Sequence, residues 1–312
     1  MIVFLTRKLL LPTKIYTGFL KVDNSSFKCF SQLARSCEPA INKCIVGEEK
    51  KILKVAIIGT PNSGKSTLIN NLVGRKVFAI SKKVHTTRCR ARAVGIESNT
   101  QLVFLDTPGL VSALETDKYK LDKSYVTGGE DAIEEADVIG VVHDISNPYT
   151  RHKLDIKVLR LLHLFQQKES FLIINKIDTV KSKRKLLDLS AALTGGALRN
   201  YNEPLIAEKM TEVSVMERVR REPQWKHFSD VFMVSALLEE GTKDIKSYLL
   251  HCAQPGKWLF KEDVFTDQKP PQIIEGVVRS KLLEYLPYEV PYTVNVKLEY
   301  FNREGQLALG YN

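Results

Sequence analysis

From Lys51 onward, short apolar runs alternate with stretches of helical spacing; the first fifty residues show no such rhythm. Five runs read as strands: Lys54–Gly59, Gln101–Asp106, Asp137–Asp144, Phe171–Asn175 and Asp230–Ser235. Each is rich in Val, Ile, Leu or Phe, the signature of strands covered on both faces. Helical segments separate them, so the pattern predicts an α/β fold with a mostly parallel sheet flanked by helices. Each run ends on Gly, Asp, Asn or Ser. Ligands of open α/β sheets sit at the carboxyl ends of the strands, so these end residues are expected to share one crevice.

Two later regions depart from this rhythm. Residues 181–226 are strongly charged, with "KSKRK" at 181–185, "ERVRREPQWK" at 217–226 and a Gly-Gly pair at 195–196. Weak helical periodicity predicts an insertion of helices and loops on the domain surface. Its basic clusters are either a solvated helical face or a contact for RNA. Residues 259–272, including "FTDQKPPQ" at 265–272, read as a linker, with Pro270 and Pro271 opening a helix. Ile274, Val277, Val278, Leu282, Tyr285 and Leu286 then keep helical spacing, and "PYTVNVKLEYF" alternates as a half-buried strand does. One helix and one strand cannot bury a core alone, so this tail is expected to dock on the first domain or to belong to something larger.

Composition changes the picture only through charge. A hydrophobic share of 44% and a charged share of 26% are ordinary for a globular chain, whereas a net charge of +10 is not. Residues 1–47 carry Arg7, Lys8, Lys14, Lys21, Lys28, Arg35 and Lys43 against Asp23 and Glu38, half of the excess. This Ser- and Arg-containing leader (1–50) lacks the unbroken apolar core of a secretory signal. It reads as a mitochondrial transit segment, which places the protein in the matrix; the alternative is a disordered basic tail of a cytoplasmic protein. No apolar run approaches the ~18 residues that span a bilayer, so no transmembrane span is expected. Five cysteines without a C-x-x-C spacing indicate neither a disulfide framework nor a zinc site.

The chemistry begins at "GTPNSGKS", Gly59–Ser66, between a strand and a helix. Its backbone amides can surround a phosphate at the positive end of a helix dipole. Lys65 would neutralise the β- and γ-phosphates and Ser66 would ligate Mg²⁺, while Gly59 and Gly64 let the backbone approach closely. "DTPG" (106–109) follows, with Asp106 placed to hold Mg²⁺ through water and the Gly109 N–H to meet the γ-phosphate. "HTTR" (85–88) is a switch loop able to close over Mg²⁺ only when that phosphate is present. "NKID" (175–178) ends a strand; Asp178 can accept both N1–H and the exocyclic amine of guanine, with Asn175 and Lys176 bracing the pocket. "SAL" (Ser235, Ala236, Leu237) can bring a backbone N–H to guanine O6. Five strings in this order, each at a strand end or switch position, predict a GTP/GDP site.

With those elements placed, "GTPNSGKSTLINNLVG", "HTTR", "FLDTPGL", "NKID" and "VPYTVNVKLEYF" resemble segments of the Era family of translation-factor-related GTPases. The resemblance runs from Lys54 to Asn312, and the leader makes the mitochondrial type the nearest match. It implies a GTPase domain over 51–258 and a KH-type RNA-binding segment over 273–312. It also implies a monomeric assembly factor that binds small-subunit ribosomal RNA and the small ribosomal subunit, with peripheral contact at the mitochondrial inner membrane. Phosphate contacts fall on Asn62, Ser63, Gly64, Lys65, Ser66 and Thr67, switch contacts on Thr87 (Thr86 as substitute), Asp106 and Gly109, and base contacts on Asn175, Lys176 and Asp178. Magnesium would be held by Ser66, Thr87 and Asp106, and Asn62 matches the asparagine that supports a catalytic K⁺ in related GTPases. Leu110 stands where many signalling GTPases carry a water-orienting Gln, which implies slow intrinsic hydrolysis. KH domains grip RNA with a G-x-x-G loop, and no two glycines of this chain are three apart. That leaves two expectations: a truncated KH domain, or a GTP-dependent switch acting through protein or membrane-associated partners without direct RNA binding.

Overall fold

The computed structural model describes residues 49–81, 91–107, 110, 124–199, 211–287, 290, 294, 296–301 and 307–311. The leader and the "HTTR" loop lie outside the described residues. Five strands run parallel: β1 (Lys51–Gly59), β3 (Thr100–Asp106), β4 (Val138–Asp144), β5 (Glu169–Asn175) and β6 (Phe228–Val234). They match the five predicted runs to within a few residues. A sixth strand, β2 (Ala91–Glu97), pairs antiparallel with β3 and completes the order β2-β3-β1-β4-β5-β6.

Alternation along β1 shows why the sheet is covered on both sides. Leu53, Val55 and Ile57 face one core with α1 (Lys65–Val73) and α6 (Thr242–Cys252). Ala56 and Ile58 face the other, with α2 (Ser124–Glu135), α3 (Ile156–Leu164), α4 (Lys183–Thr194) and α5 (Glu212–Arg221). Packing is close at Gly140 in β4, where an added Cβ would stand 2.8 Å from Ile57 Cδ1 and 2.9 Å from Phe171 Cζ. Only glycine lets the two large side chains meet there.

The sequence did not reveal β2. Its edge position needs burial on one side only, so Ala91 and Ala93 are buried while Arg92 points away to an ion pair with Glu135, 2.8 Å apart. The predicted linker is also more than a spacer. The Phe265 carbonyl accepts from the Val94 N–H at 2.9 Å, and the Asp267 carboxylate accepts from the Arg92 N–H at 2.8 Å. Upstream, the Gln101 carboxamide bonds the backbone of Leu259 and Phe260 in both directions, and Trp258 Nε1 donates to the Lys51 carbonyl. Residues 258–267 are therefore stitched along the sheet. A two-residue strand, β7 (Gln254–Pro255), pairs with the start of β1 on the β4 side, ahead of Val55 where the β4 pairing begins.

The charged segment 181–226 was expected as a surface insertion. Its two helices do lie on the outside, yet Leu186, Leu189, Leu193, Val215, Val219 and Trp225 are buried in the core beneath them. The charged clusters mark the solvent faces of amphipathic helices, and the apolar positions between them complete the second layer. The tail forms α7 (Pro270–Tyr285) and an antiparallel pair, β8 (Val296–Phe301) with β9 (Leu307–Tyr311). The helix starts at the predicted prolines, and Glu275 accepts the Leu298 N–H at 2.8 Å, tying helix to hairpin. Among the described residues no helix is long and apolar enough to cross a membrane.

One buried polar side chain fixes how the chain leaves α1. Asn70 accepts from the Val77 and Phe78 amides, both at 2.9 Å, and donates to the Phe78 carbonyl at 2.9 Å. Truncating it strands three backbone groups in a dry setting, each worth roughly 1–3 kcal/mol. Asn70→Ala is expected to lose about 3 kcal/mol of stability in denaturant unfolding at an unchanged m-value.

Candidate functional site

The carboxyl ends of β1, β3, β4, β5 and β6 supply the site. At the end of β1 the chain turns through Gly59 and Asn62 into α1. Gly59 has φ +157°, and a Cβ there would meet the Val142 carbonyl oxygen at 2.4 Å. Asn62 sits in the left-handed region (φ 60°), which asparagine tolerates better than most residues. Gly64 (φ +95°) precedes the first helical residue, and a Cβ on it would lie 2.2 Å from Asn175 Nδ2. Both glycines are thus required by close approach to other protein groups as well as by their dihedrals.

The first turn of α1 holds no acidic side chain, so its positive end stays uncompensated. Thr67 lies half-buried in this turn, and Ser63 is fully buried with its Oγ lacking a protein hydrogen-bond partner. Lys65 is 6% exposed, and its ammonium donates to the carbonyls of Gly59 (3.2 Å) and Thr60 (2.8 Å). Burial lowers its pKa to about 8, with the nearby Asp106 carboxylate pulling the other way. A cation held at that cost, facing bare helix amides, suits a polyanion. Beside it Ser66 Oγ donates to Asp106 Oδ2 at 2.9 Å, uniting the hydroxyl and carboxylate predicted for magnesium. Asp106 is fully buried at the end of β3, and the neighbouring Thr107 hydroxyl anchors that strand end to the Ile57 carbonyl. A buried hydroxyl–carboxylate pair next to a phosphate cradle fits a hard divalent cation sharing phosphate oxygens.

The second half of the site is held by Asn175, 1% exposed. Its Nδ2 donates to the Ser63 carbonyl at 2.8 Å and its Oδ1 accepts from the Ala236 N–H at 3.0 Å. One side chain therefore joins the phosphate loop to the "SAL" turn. Asp178 is exposed at the rim and accepts from Ser235 Oγ at 2.6 Å. The same Ser235 oxygen accepts the Leu238 N–H at 3.3 Å. With the Ala236 and Leu238 amides so engaged, the Leu237 N–H is the one left for a base oxygen. Lys176 adopts φ 66° and pairs with Asp144 at the end of β4. Burial alone would raise the Asp144 carboxyl, and hydrogen bonds from Lys176 and Ser146 outweigh it and hold it below the usual carboxylate range.

Sequence reasoning placed Gly59, Asn62, Ser63, Gly64, Lys65, Ser66, Asp106, Asn175, Lys176, Asp178, Ser235, Ala236 and Leu237 at one crevice, and the structure brings them together. Thr86, Thr87 and Gly109 lie outside the described residues. Leu110 is 7% exposed, packed in the core, and its N–H donates to the Gly59 carbonyl at 3.3 Å. Asp144 was expected at the crevice as the end residue of its strand, without an assigned role. Two participants were not anticipated: Thr107 in its anchoring role, and Asn71, whose Nδ2 donates to the Ala236 carbonyl at 2.6 Å. No local signal marks Asn71, whose partner is 165 residues away.

Comparison with known proteins agrees with this geometry. Residues 54–176 match the "50S ribosome-binding GTPase" family. The chain is 39% identical to the mitochondrial GTPase Era of Salmo salar over 84% of its own length, and spans 66% of that relative. It is 35% identical to GTPase Era of Mesorhizobium japonicum, over 78% of this chain and 67% of that protein. A crystal structure of Era with MgGDPNP and nucleotides 1506–1542 of 16S ribosomal RNA superposes with TM-score 0.63 at 30% identity, covering 80% of this chain and 73% of that one. The chain is thus similar in sequence and in fold to these relatives over most of its own length, and it belongs to the Era family of GTPases.

Proposed function

We propose that the chain binds GTP and GDP with Mg²⁺, hydrolyses GTP slowly, and serves as an assembly factor that binds ribosomal RNA of the mitochondrial small subunit. The observation that carries the nucleotide half is the Asn175 bracket, which presents the phosphate cradle and the Asp178 carboxylate to one ligand at once. The RNA half is supported by the similarity to Era seen with 16S RNA, and the mitochondrial assignment by the salmon relative's name together with the basic leader. On this reading residues 51–258 are the GTPase domain. Residues 273–312 belong to a KH-type segment, and the protein works as a matrix monomer in peripheral contact with the inner membrane.

In hydrolysis, Lys65 and the amides of the loop hold the terminal phosphates and offset charge that develops on them. Ser66 and Asp106, with Thr87, would hold magnesium, which would supply Lewis-acid screening of the phosphate oxygens. The buried side chain of Leu110 gives the attacking water no acid–base partner, so turnover rests on positioning and is slow. Asn62, exposed on the loop, supports K⁺ at that position.

Crosslinking of the full chain in mitochondria tests the RNA role. Enrichment of small-subunit rRNA is expected; a soluble, GTP-binding protein that enriches none would favour a switch acting through protein partners. Turnover should rise when K⁺ replaces Na⁺, and equal rates in the two salts would remove the K⁺ role of Asn62. Lys65 gives a pH signature. Without ligand its amine loses its proton near pH 8, whereas the unfolded chain keeps it until about 10.4. Folded-state stability therefore rises between those values, because the unfolded state binds more protons there. A phosphate beside the amine restores the ammonium form, so nucleotide binding at about pH 8.5 should take up protons and at about pH 6.5 should not. Calorimetry in buffers of different ionisation enthalpy reads this directly.

A further inference from the structure

The turn Ser235–Leu238 is held in an unusual way. Leu237 and Leu238 are 78% and 64% exposed, so the turn's apolar anchoring is left to the small side chain of Ala236, which is buried in the core. Its position depends on polar contacts to its backbone. The Ala236 N–H is taken by Asn175 at 3.0 Å, from the end of β5. The Ala236 carbonyl is taken by Asn71 at 2.6 Å, a half-buried residue of α1 next to the buried Asn70. The two asparagines grip opposite polar groups of one residue, and the free Leu237 amide follows directly after it. Asn175 also has a second task at the phosphate loop, through the Ser63 carbonyl. Asn71 has no other hydrogen bond from its side chain among those described.

We infer that Asn71 is a positioning residue for base selection: its carboxamide, clamped on the Ala236 carbonyl, aims the Leu237 N–H at the six-position oxygen of guanine. The inference rests on the nucleotide reading above and sharpens it. Asp178 recognises the donor edge of the base from β5, whereas Asn71 acts on the acceptor side from the helix that begins at the phosphates. The two sides of guanine are therefore governed by separate clamps. Loosening one should leave the other intact, because Ser235, which bonds Asp178, is itself fully buried at the end of β6.

Separate clamps make the test specific. Calorimetry on the full chain with magnesium would compare GDP with two analogues: 6-thio-GDP, which weakens only the six-position acceptor, and IDP, which lacks only the exocyclic amine. Wild-type protein should prefer GDP over both. Asn71→Ala should bind GDP about three- to tenfold more weakly, the worth of one hydrogen bond, and lose most of its GDP over 6-thio-GDP preference. Its GDP over IDP preference should stay as in the wild type. Asn71→Asp keeps the size but turns a carboxylate toward a carbonyl oxygen, and should weaken GDP at least as much. Thermal melting without nucleotide checks that both variants fold. If either folded variant keeps the wild-type GDP over 6-thio-GDP ratio, or if both ratios fall together, Asn71 does not position the base contact. Wild-type protein that binds none of the three nucleotides would instead overturn the nucleotide reading itself.

Discussion

The site depends on a single buried carboxamide having two jobs at once. Asn175 must reach the Ser63 carbonyl on one side and the Ala236 amide on the other, and it can do so only where nothing intervenes. That requirement reaches outward through the fold. Gly64 has to lack a side chain because Asn175 occupies the space a Cβ would fill. β5 must lie two strands from β1, in register with β4, so that its last residue arrives level with the phosphate loop. β6 must pair parallel beside it, Asn175 against Val234, to deliver the following turn. Buried polar groups with every partner in place specify geometry more sharply than apolar packing does, and this one specifies the distance between two ends of a ligand.

Electrostatics at the other end of the pocket are arranged around a negative charge. An ammonium buried to 6% exposure, its proton affinity lowered by burial and its hydrogen bonds among the described residues made to two neutral carbonyls, is a poor contributor to stability by itself. The helix end beside it carries no acidic residue to offset its dipole. Both features cost folding energy in isolation and both become favourable with a phosphate between them. Such local conflicts are expected where a structure serves binding rather than stability.

The sequence was legible where a physical demand is local. Strands covered on two faces need continuous apolar runs, so all five parallel strands appeared within a few residues of their place. Phosphate and base strings stood out because each sits at a strand end. The edge strand β2 escaped notice: "ARAVGIE" is short in large apolar residues, burying Ala91, Ala93 and Val94 while Arg92 makes an ion pair. The charged segment 181–226 suggested surface, because charge on the outer faces of α4 and α5 masks the spacing of Leu186, Leu189, Leu193, Val215 and Val219 beneath. Contacts such as Asn71 with Ala236 were beyond any local pattern, since a helix near the start of the domain meets a turn near its end.

The stitched segment before α7 has a consequence for the tail. Hydrogen bonds hold the chain to the edge of the sheet as far as Asp267, and Gln268 is bonded back to Thr266. Helix α7 begins at Pro270, whose ring locks its own φ, and Lys269 caps it, its N–H donating to Gln272 Oε1 at 3.0 Å, so almost no slack is left between them. So short a leash cannot let the tail search space at random. A ligand held by the tail would be kept at a high effective concentration near one rim of the sheet.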